Sequence, residues 1–329
     1  MKFKKIFVAF VVIFMILELL TRILLSVKGM GFFREKRFIS PWFTVYDSPA
    51  PYEDKGLLFF KRGQKTTVEK PLNTIRIICL GGSTTIDAAT KNHYPGVLQD
   101  MLNSRYKNVR FEVLNAGGDA FSSAHSLVNL SLRLIYYKPD CVIIYHNIND
   151  LSANYFPPSL RMDYANKYIN NLYLAPECKI GIQKYLFNFR FLSFIMMKIN
   201  NINFARNASR INRSLDISFG ARVFSNNLVN IVVIAKAHNI QVVFGQQAAC
   251  FKKMKEFPYI KKEDFLFYNK VVRDVAQEYN VPVADIFSLL GQDEQYFTDL
   301  VHYTESGVNK VSEGFLDVIT KIYPDEQKE

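Results

Sequence analysis

The sequence is short of the residues that would place it in several classes. Among 329 residues there are four cysteines and no C-x-x-C, which excludes a disulfide-stapled scaffold and a zinc ribbon. There is one tryptophan, and 15 glycines and 12 prolines fall without a Gly period, sustained heptad or internal repeat, so collagen, coiled-coil, solenoid and low-complexity architectures are also excluded. His93, His125, His146 and His238 show no paired ligand spacing, and neither a metal nor another cofactor is implied. Acidic residues are in deficit, 30 against 41 Lys and Arg, for a net charge of +11. That basicity is compatible with nucleic acid, anionic lipid or an anionic polymer and selects none of them. No nucleic-acid-binding motif accompanies it, so nucleic acid is set aside.

What the chain has in quantity is apolar mass. Hydrophobic residues make up 49% and aromatics 14%, enough for one large domain with a sizeable core. Part of it is concentrated at the N-terminus, where Lys2, Lys4 and Lys5 precede an apolar run from Ile6 to Leu17 that resumes after Glu18 as far as Val27. At about 1.5 Å per residue this is long enough to cross a bilayer core. Glu18 and Arg22, four apart, share a helix face and can neutralise each other. A cleaved signal peptide would end in an A-x-A site, whereas the chain continues Leu25-Ser26-Val27-Lys28-Gly29, so residues 1–28 are expected to be an uncleaved single-pass anchor. The leading lysines favour a cytoplasmic N-terminus and an extracytoplasmic body, in periplasm or at the cell surface, although Lys28, Arg34, Lys36 and Arg37 make the far flank basic too. Residues 29–72 are aromatic, basic and broken by Pro41, Pro49, Pro51 and Pro71, and read as a juxtamembrane linker lying on the body. Within it Trp42, Phe38 and Phe43 either pack on the neighbouring domain or sit at headgroup level.

From residue 73 to 329 short apolar runs alternate with amphipathic stretches, the signature of a parallel sheet covered by helices. Strands are expected at Thr74–Leu80, Phe111–Asn115, Cys141–Tyr145, Gln241–Gly245 and Val281–Ile286. Between and after them, helical spacing is found around Tyr94–Leu102, from Ala124 to Tyr137, over Phe224–Ala235, over Tyr268–Tyr279 and over Val308–Ile322. Residues 151–220, rich in Tyr, Phe, Asn and Arg, resist this scheme and are expected to form a partly helical insertion acting as a lid or substrate platform. Cys79 and Cys141 fall within strands and read as small buried apolar residues.

In an open parallel sheet, chemistry sits at the carboxyl ends of the strands. After the first strand comes Gly81-Gly82-Ser83-Thr84-Thr85. The glycines permit a sharp turn, and Ser83 emerges at the strand-to-helix corner where a nucleophile can reach solvent. The pattern is neither a P-loop nor a G-x-S-x-G elbow. The second strand is followed by Asn115-Ala116-Gly117-Gly118-Asp119-Ala120, and the third by His146-Asn147-Ile148-Asn149-Asp150; these supply small-residue amides and a carboxamide, the donor types an oxyanion needs. Near the C-terminus Asp299-Leu300-Val301-His302 precedes the last helix. An Asp three residues before a His can accept the Nδ1–H within one turn, leaving Nε2 to take a serine proton.

These four blocks, in this order, resemble the SGNH hydrolases, also called GDSL hydrolases, over roughly Thr74 to Pro324. The resemblance implies an α/β fold of three layers, α/β/α and flavodoxin-like, with five parallel strands. It also implies Ser83 as nucleophile and as a backbone donor to the oxyanion, Asn149 as the carboxamide donor, and Asp299 and His302 as the rest of a triad. Two positions depart from the family pattern. Asn147 stands where the third block normally has Gly, and Ala120 stands at the usual glycine donor of the second, so either Ala120 or Gly118 supplies that amide. The implied activity is hydrolysis of acyl esters, acetyl foremost, on a carbohydrate or lipid. The alternatives are an SGNH O-acyltransferase modifying an envelope polysaccharide and a catalytically idle tethered binding protein. Finally, Lys252, Lys253, Lys255, Lys261 and Lys262 leave the same edge of the sheet as Ser83, where they could attract an anionic glycan.

Overall fold

The computed structural model describes residues 2–27, 53–54, 57–59, 64–87, 90–155, 162–164, 167, 189, 191–192, 195, 217–256 and 260–324. The apolar N-terminal run forms helix α1, Lys2–Val27, of 26 residues. Its span Lys5–Leu24 is long and apolar enough to cross a membrane, as an anchor or a signal sequence would be. The side chains along it are largely exposed, but Glu18 is buried. Its carboxylate accepts from Arg22 Nε at 2.8 Å and from the Phe191 main-chain N–H at 2.8 Å, while Phe14 meets the Phe189 ring edge-on at 5.2 Å. Phe189 and Phe191 therefore meet α1 beside the one charged pair in its apolar stretch.

Three short antiparallel strands follow, β1 Glu53–Asp54, β2 Leu57–Phe59 and β3 Lys65–Thr67, where the sequence showed no strand period. The end of the expected linker is stitched into the body by polar bonds rather than by periodic apolar residues. Thr66 bonds Glu112, Arg76 pairs with Glu112 at 2.9 Å and reaches Thr66, and Lys70 pairs with Asp140 at 2.5 Å. Phe38, Trp42 and Phe43 lie outside the described residues.

The body is built on β4 Thr74–Gly81, β5 Arg110–Asn115, β6 Cys141–Tyr145, β7 Gln241–Gly245 and β8 Val283–Ala284, all parallel and ordered β5-β4-β6-β7-β8. Numbered within the sheet this is 2-1-3-4-5, the flavodoxin-like order. Its helices are α2 Ser83–Ile86, α3 Tyr94–Arg105, α4 Ser123–Leu132, α5 Ile148–Ala153, α6 Ile217–Ala237, α7 Lys262–Tyr279, α8 Ile286–Leu290 and α9 Glu305–Ile322. Because the central strands are covered on both faces, they read as continuous apolar runs whose alternate residues enter different cores. Ile78, Leu80, Val142 and Ile144 pack with α4, α6 and α7 through Leu130, Phe224, Ile231 and Val272. On the other face Ile77, Cys79, Ile143 and Val243 meet α3 and α9 through Leu98, Leu102, Val311 and Phe315. Each such aliphatic side chain contributes about 1.5–3 kcal/mol on burial. The open edge at β5 is capped by side-chain amides: Gln64 bonds Val113 O and Asn115 N, Gln99 takes Val113 N, and Asn103 bonds both main-chain groups of Phe111.

Two elements differ from expectation. The helix expected as far as Tyr137 ends at Leu132; Arg133, at φ −138, breaks it, and a tight 3-10 turn over Leu134–Tyr137 brings the Tyr137 carbonyl to Arg76. The strand expected over Val281–Ile286 is confined to Val283–Ala284, because Asp285 accepts from Ser288 N and caps α8. At the ends of the expected insertion, residues 151–155 and 217–220 belong to the body as parts of α5 and α6 or next to them.

Candidate active site

The carboxyl ends of β4, β5 and β6 converge through contacts that leave no room for larger residues. A Cβ on Gly81 would lie 2.8 Å from the Tyr145 carbonyl, and one on Gly82 would lie 2.4 Å from Asn149 Nδ2. Strand β4 can therefore turn straight into α2, with Ser83 at its first position, where a main-chain N–H has no partner within the helix. Asn115 ties the next loop to this turn: its Nδ2 donates to Thr85 O at 2.8 Å and its Oδ1 accepts from Gly117 N at 3.0 Å. Below, Gln247 donates to Thr84 Oγ1 at 3.1 Å and accepts from Ile148 N at 2.8 Å.

The loop bearing Asp299 and His302 folds back as a short hairpin, with Phe297 bridged to Tyr303 and Thr298 N donating to His302 O at 2.8 Å. Buried Tyr303 shares a 2.6 Å hydroxyl bond with Tyr145 of β6, which fixes the loop against the sheet. The result is a continuous chain of bonds. His302 Nε2 lies 2.8 Å from Ser83 Oγ and His302 Nδ1 2.6 Å from Asp299 Oδ2. Asp299 Oδ1 is held in turn by the main-chain N–H groups of Val301 at 2.9 Å and His302 at 2.8 Å. A carboxylate only accepts, so Nδ1 carries the hydrogen and Nε2 faces the hydroxyl as an acceptor. Such a chain can move a serine proton onto the imidazole.

The surroundings make His302 a stronger base than a free imidazole. Burial opposes the imidazolium, but the hydrogen bond and charge of Asp299, joined by the carboxylates of Asp87 and Asp119, raise it above its ordinary value. For Asp299, burial works to raise it, and the bonds from His302 and the loop amides overcome this and lower it. Asp87 was not singled out from the sequence. It closes α2 in the left-handed region at φ 49, and only the tertiary fold brings it near His302.

Asn149, from α5, donates through Nδ2 to Phe121 O at 2.9 Å and sits against Gly82. Of the two candidate amides in the second loop, that of Gly118 donates to Gly81 O at 3.1 Å. Ala120 adopts φ 60, a left-handed conformation that costs a residue with a Cβ roughly 1–2 kcal/mol. Asn147, in place of the usual glycine, is buried and donates to Phe265 O at 3.0 Å and Asn269 Oδ1 at 2.9 Å, which moors the third loop to α7. Of the other histidines, His125 and His146 are buried and pushed down by desolvation, His146 to about 3, so both are neutral at ordinary pH. Burial raises the thiols of Cys79 and Cys141, which packs them as inert apolar groups, and Cys178 lies outside the described residues.

The lysine-rich segment after β7 does adjoin the Asp299 loop, through Cys250 N to Leu300 O at 2.8 Å. Lys253 Nζ bonds the carbonyls of Glu294 and Phe297, Lys252 lies 3.8 Å from Glu294, and Lys262 covers the Phe251 ring. Lys252 and Lys253 are thus partly spent on contacts with the segment that leads into the Asp299 loop.

The GDSL-like lipase/acylhydrolase family matches residues 79–309. The chain belongs to it. Solved structures similar to this chain include the lipase/acylhydrolase from Enterococcus faecalis, 15% identical over 75% of this chain and 96% of that one, TM-score 0.48. Another is the acetylxylan esterase Axe2 from Geobacillus stearothermophilus, 15% identical over 74% and 94%, TM-score 0.48. A GDSL-like lipase from Bacteroides thetaiotaomicron is 14% identical over 75% and 88%, TM-score 0.45. No curated protein matches the chain at significance.

Proposed function

We propose that this GDSL-family acylhydrolase is a membrane-anchored serine esterase that cleaves acyl esters, acetyl first among them, from a carbohydrate or lipid. The observation that carries the reading is the unbroken path Ser83–His302–Asp299 with Asn149 packed against the same turn. Ser83 Oγ attacks the ester carbonyl while His302 Nε2 takes its proton, and Asp299 holds the imidazole and compensates its charge. The oxyanion receives N–H groups from Ser83, Ala120 and Asn149. His302 then gives the proton to the leaving alcohol, and water, activated by the same base, resolves the acyl-serine.

Full-length protein in detergent, given an acetylated oligosaccharide, is expected to release acetate. Adding an unacetylated acceptor should leave that rate unchanged. Acetyl appearing on the acceptor instead of in solution would make the protein a transferase, and neither product would remove ester chemistry. An anionic glycan as substrate is supported by Lys252, which remains more than half exposed beside the Asp299 loop. In that case an anionic polymer should lose rate with added salt while a neutral ester does not.

For localisation, α1 supports a single-pass anchor with the N-terminus in the cytoplasm and the body outside, because three lysines precede an apolar run. A reporter fused after Glu329 should be active only outside the cytoplasm; activity inside would reverse the orientation and favour an intracellular lipid substrate.

A further inference from the structure

A carboxamide can sit either way round, and only one way serves as a donor toward Ser83. On one side of Asn149 stands the Phe121 carbonyl, which can only accept and takes Nδ2 at 2.9 Å. On the other stands Lys167, whose Nζ donates to Asn149 Oδ1 at 3.1 Å and to the Asn149 main-chain O at 2.8 Å. Burial lowers Lys167 to about 7 while the neighbouring Asp150 carboxylate works to keep it protonated, and in the ammonium form it can only donate. Rotating the amide by half a turn would set oxygen against oxygen and N–H against ammonium, replacing two attractive contacts by two repulsive ones.

Lys167 is 3% exposed and comes from the stretch expected to be an insertion, 18 residues beyond Asn149. It is delivered there by a built turn. Lys167 N donates to Tyr164 O at 3.0 Å, and Tyr164 is wholly buried in a small apolar cluster with Ala124, Ala153 and Val223 of α4, α5 and α6. Tyr164 also adopts φ 57, which a bulky side chain keeps only where its surroundings over-determine it. A mere charge partner for buried Asp150 would be the plainer role for this lysine. Yet Asp150 is already served by the Ser123 amide at 3.0 Å and the Ser123 hydroxyl at 2.5 Å, while both oxygens of Asn149 receive Lys167.

We propose that Lys167 is a positioning residue whose ammonium fixes the Asn149 carboxamide in the orientation that presents an N–H toward the Ser83 turn. The inference rests on the reading of Asn149 as an oxyanion donor. It assigns the insertion a role in transition-state stabilisation besides any role in substrate contact.

The test is a double-mutant cycle on the full-length enzyme with a small activated ester. Lys167→Met removes the ammonium and keeps the packing stem; it should lower kcat roughly 10- to 100-fold with KM within about twofold, since the loss is of alignment at the reacting centre. Asn149→Ala should cost on the order of 10²–10³. In the Asn149→Ala background, Lys167→Met should then change kcat by less than about twofold, because the two act as one unit. Equal losses in both backgrounds, or a normal kcat in folded Lys167→Met, would overturn the assignment while leaving the serine mechanism intact. Should Lys167→Met not fold, Lys167→Gln takes its place; failure of both to fold would make Lys167 a structural residue and overturn the assignment as well. Ser83→Ala is run alongside, and activity surviving in it would remove the underlying reading of the site together with this one.

Discussion

Ser83→Ala is expected to lose nearly all turnover of a small activated ester, at least about 10⁴-fold in kcat, and His302→Ala should lose as much. The reason is the 2.8 Å bond between Ser83 Oγ and His302 Nε2: a serine hydroxyl is a weak nucleophile unless a base takes its proton as it attacks. Because the two side chains perform one step, the double variant should be no slower than either single one. Neither substitution empties a core site, since Ser83 and His302 are both only partly buried, so circular dichroism should be unchanged. Folded protein that keeps wild-type kcat after either change would end the serine mechanism.

The second large effect is expected from Asp299→Asn, on the order of 10⁴-fold in kcat with the loop intact. The wild-type carboxylate accepts three N–H groups, two from the main chain and one from His302 Nδ1. In the variant the remaining carbonyl oxygen can still serve the main-chain amides. That turns the NH2 toward Nδ1, so the imidazole places its hydrogen on Nε2 and faces Ser83 as a donor instead of a base. A change in pH dependence should accompany the loss. His302 must be neutral to act as base, so kcat/KM of the wild type should climb as pH rises through the raised value of His302, above the ordinary 6.5. Removing the negative charge that favours the imidazolium lowers that value, so the climb should move to lower pH in Asp299→Asn. A limb that stays where it was would mean that another group is titrating.

Much of this architecture can be read from local pattern. The central strands are buried on both faces, so each appears as an apolar run closed by small or polar residues. The helices carry their core face at i, i+3, i+4 spacing, as in α9, where Val308, Val311, Phe315, Val318 and Ile319 are buried. The Asp299–His302 pair is legible because its geometry is local: the two residues are three apart and their bond closes within one loop. Ser83 is legible because a sharp strand-to-helix corner needs the small residues that precede it.

The short strands β1 to β3 and the docking of residues 64–70 have no such pattern. Thr66 and Lys70 are held by polar bonds to Arg76, Glu112 and Asp140, between residues far apart in the chain. In the second loop the Gly118 N–H is engaged by the Gly81 carbonyl, a bond that only the packed sheet creates. Asn147 reads from the sequence as a lost glycine, yet in the fold its side chain is a brace to α7. Lys167 gives no signal at all, since nothing about a lysine in a Tyr- and Asn-rich stretch distinguishes a buried ammonium from a solvated one.

Periodicity and short-range spacing are properties of consecutive residues, and so the parallel sheet, its covering helices, the corner that carries Ser83 and the Asp–His pair are written in the sequence alone. Orientation of the Asn149 carboxamide, the carboxylates of Asp87 and Asp119 around His302 and the capped edge of β5 are decided only when distant segments meet. Burial pushes His146 and His302 toward the neutral form, and partners both local, like Asp299, and distant, like Asp119, restore the charge on His302.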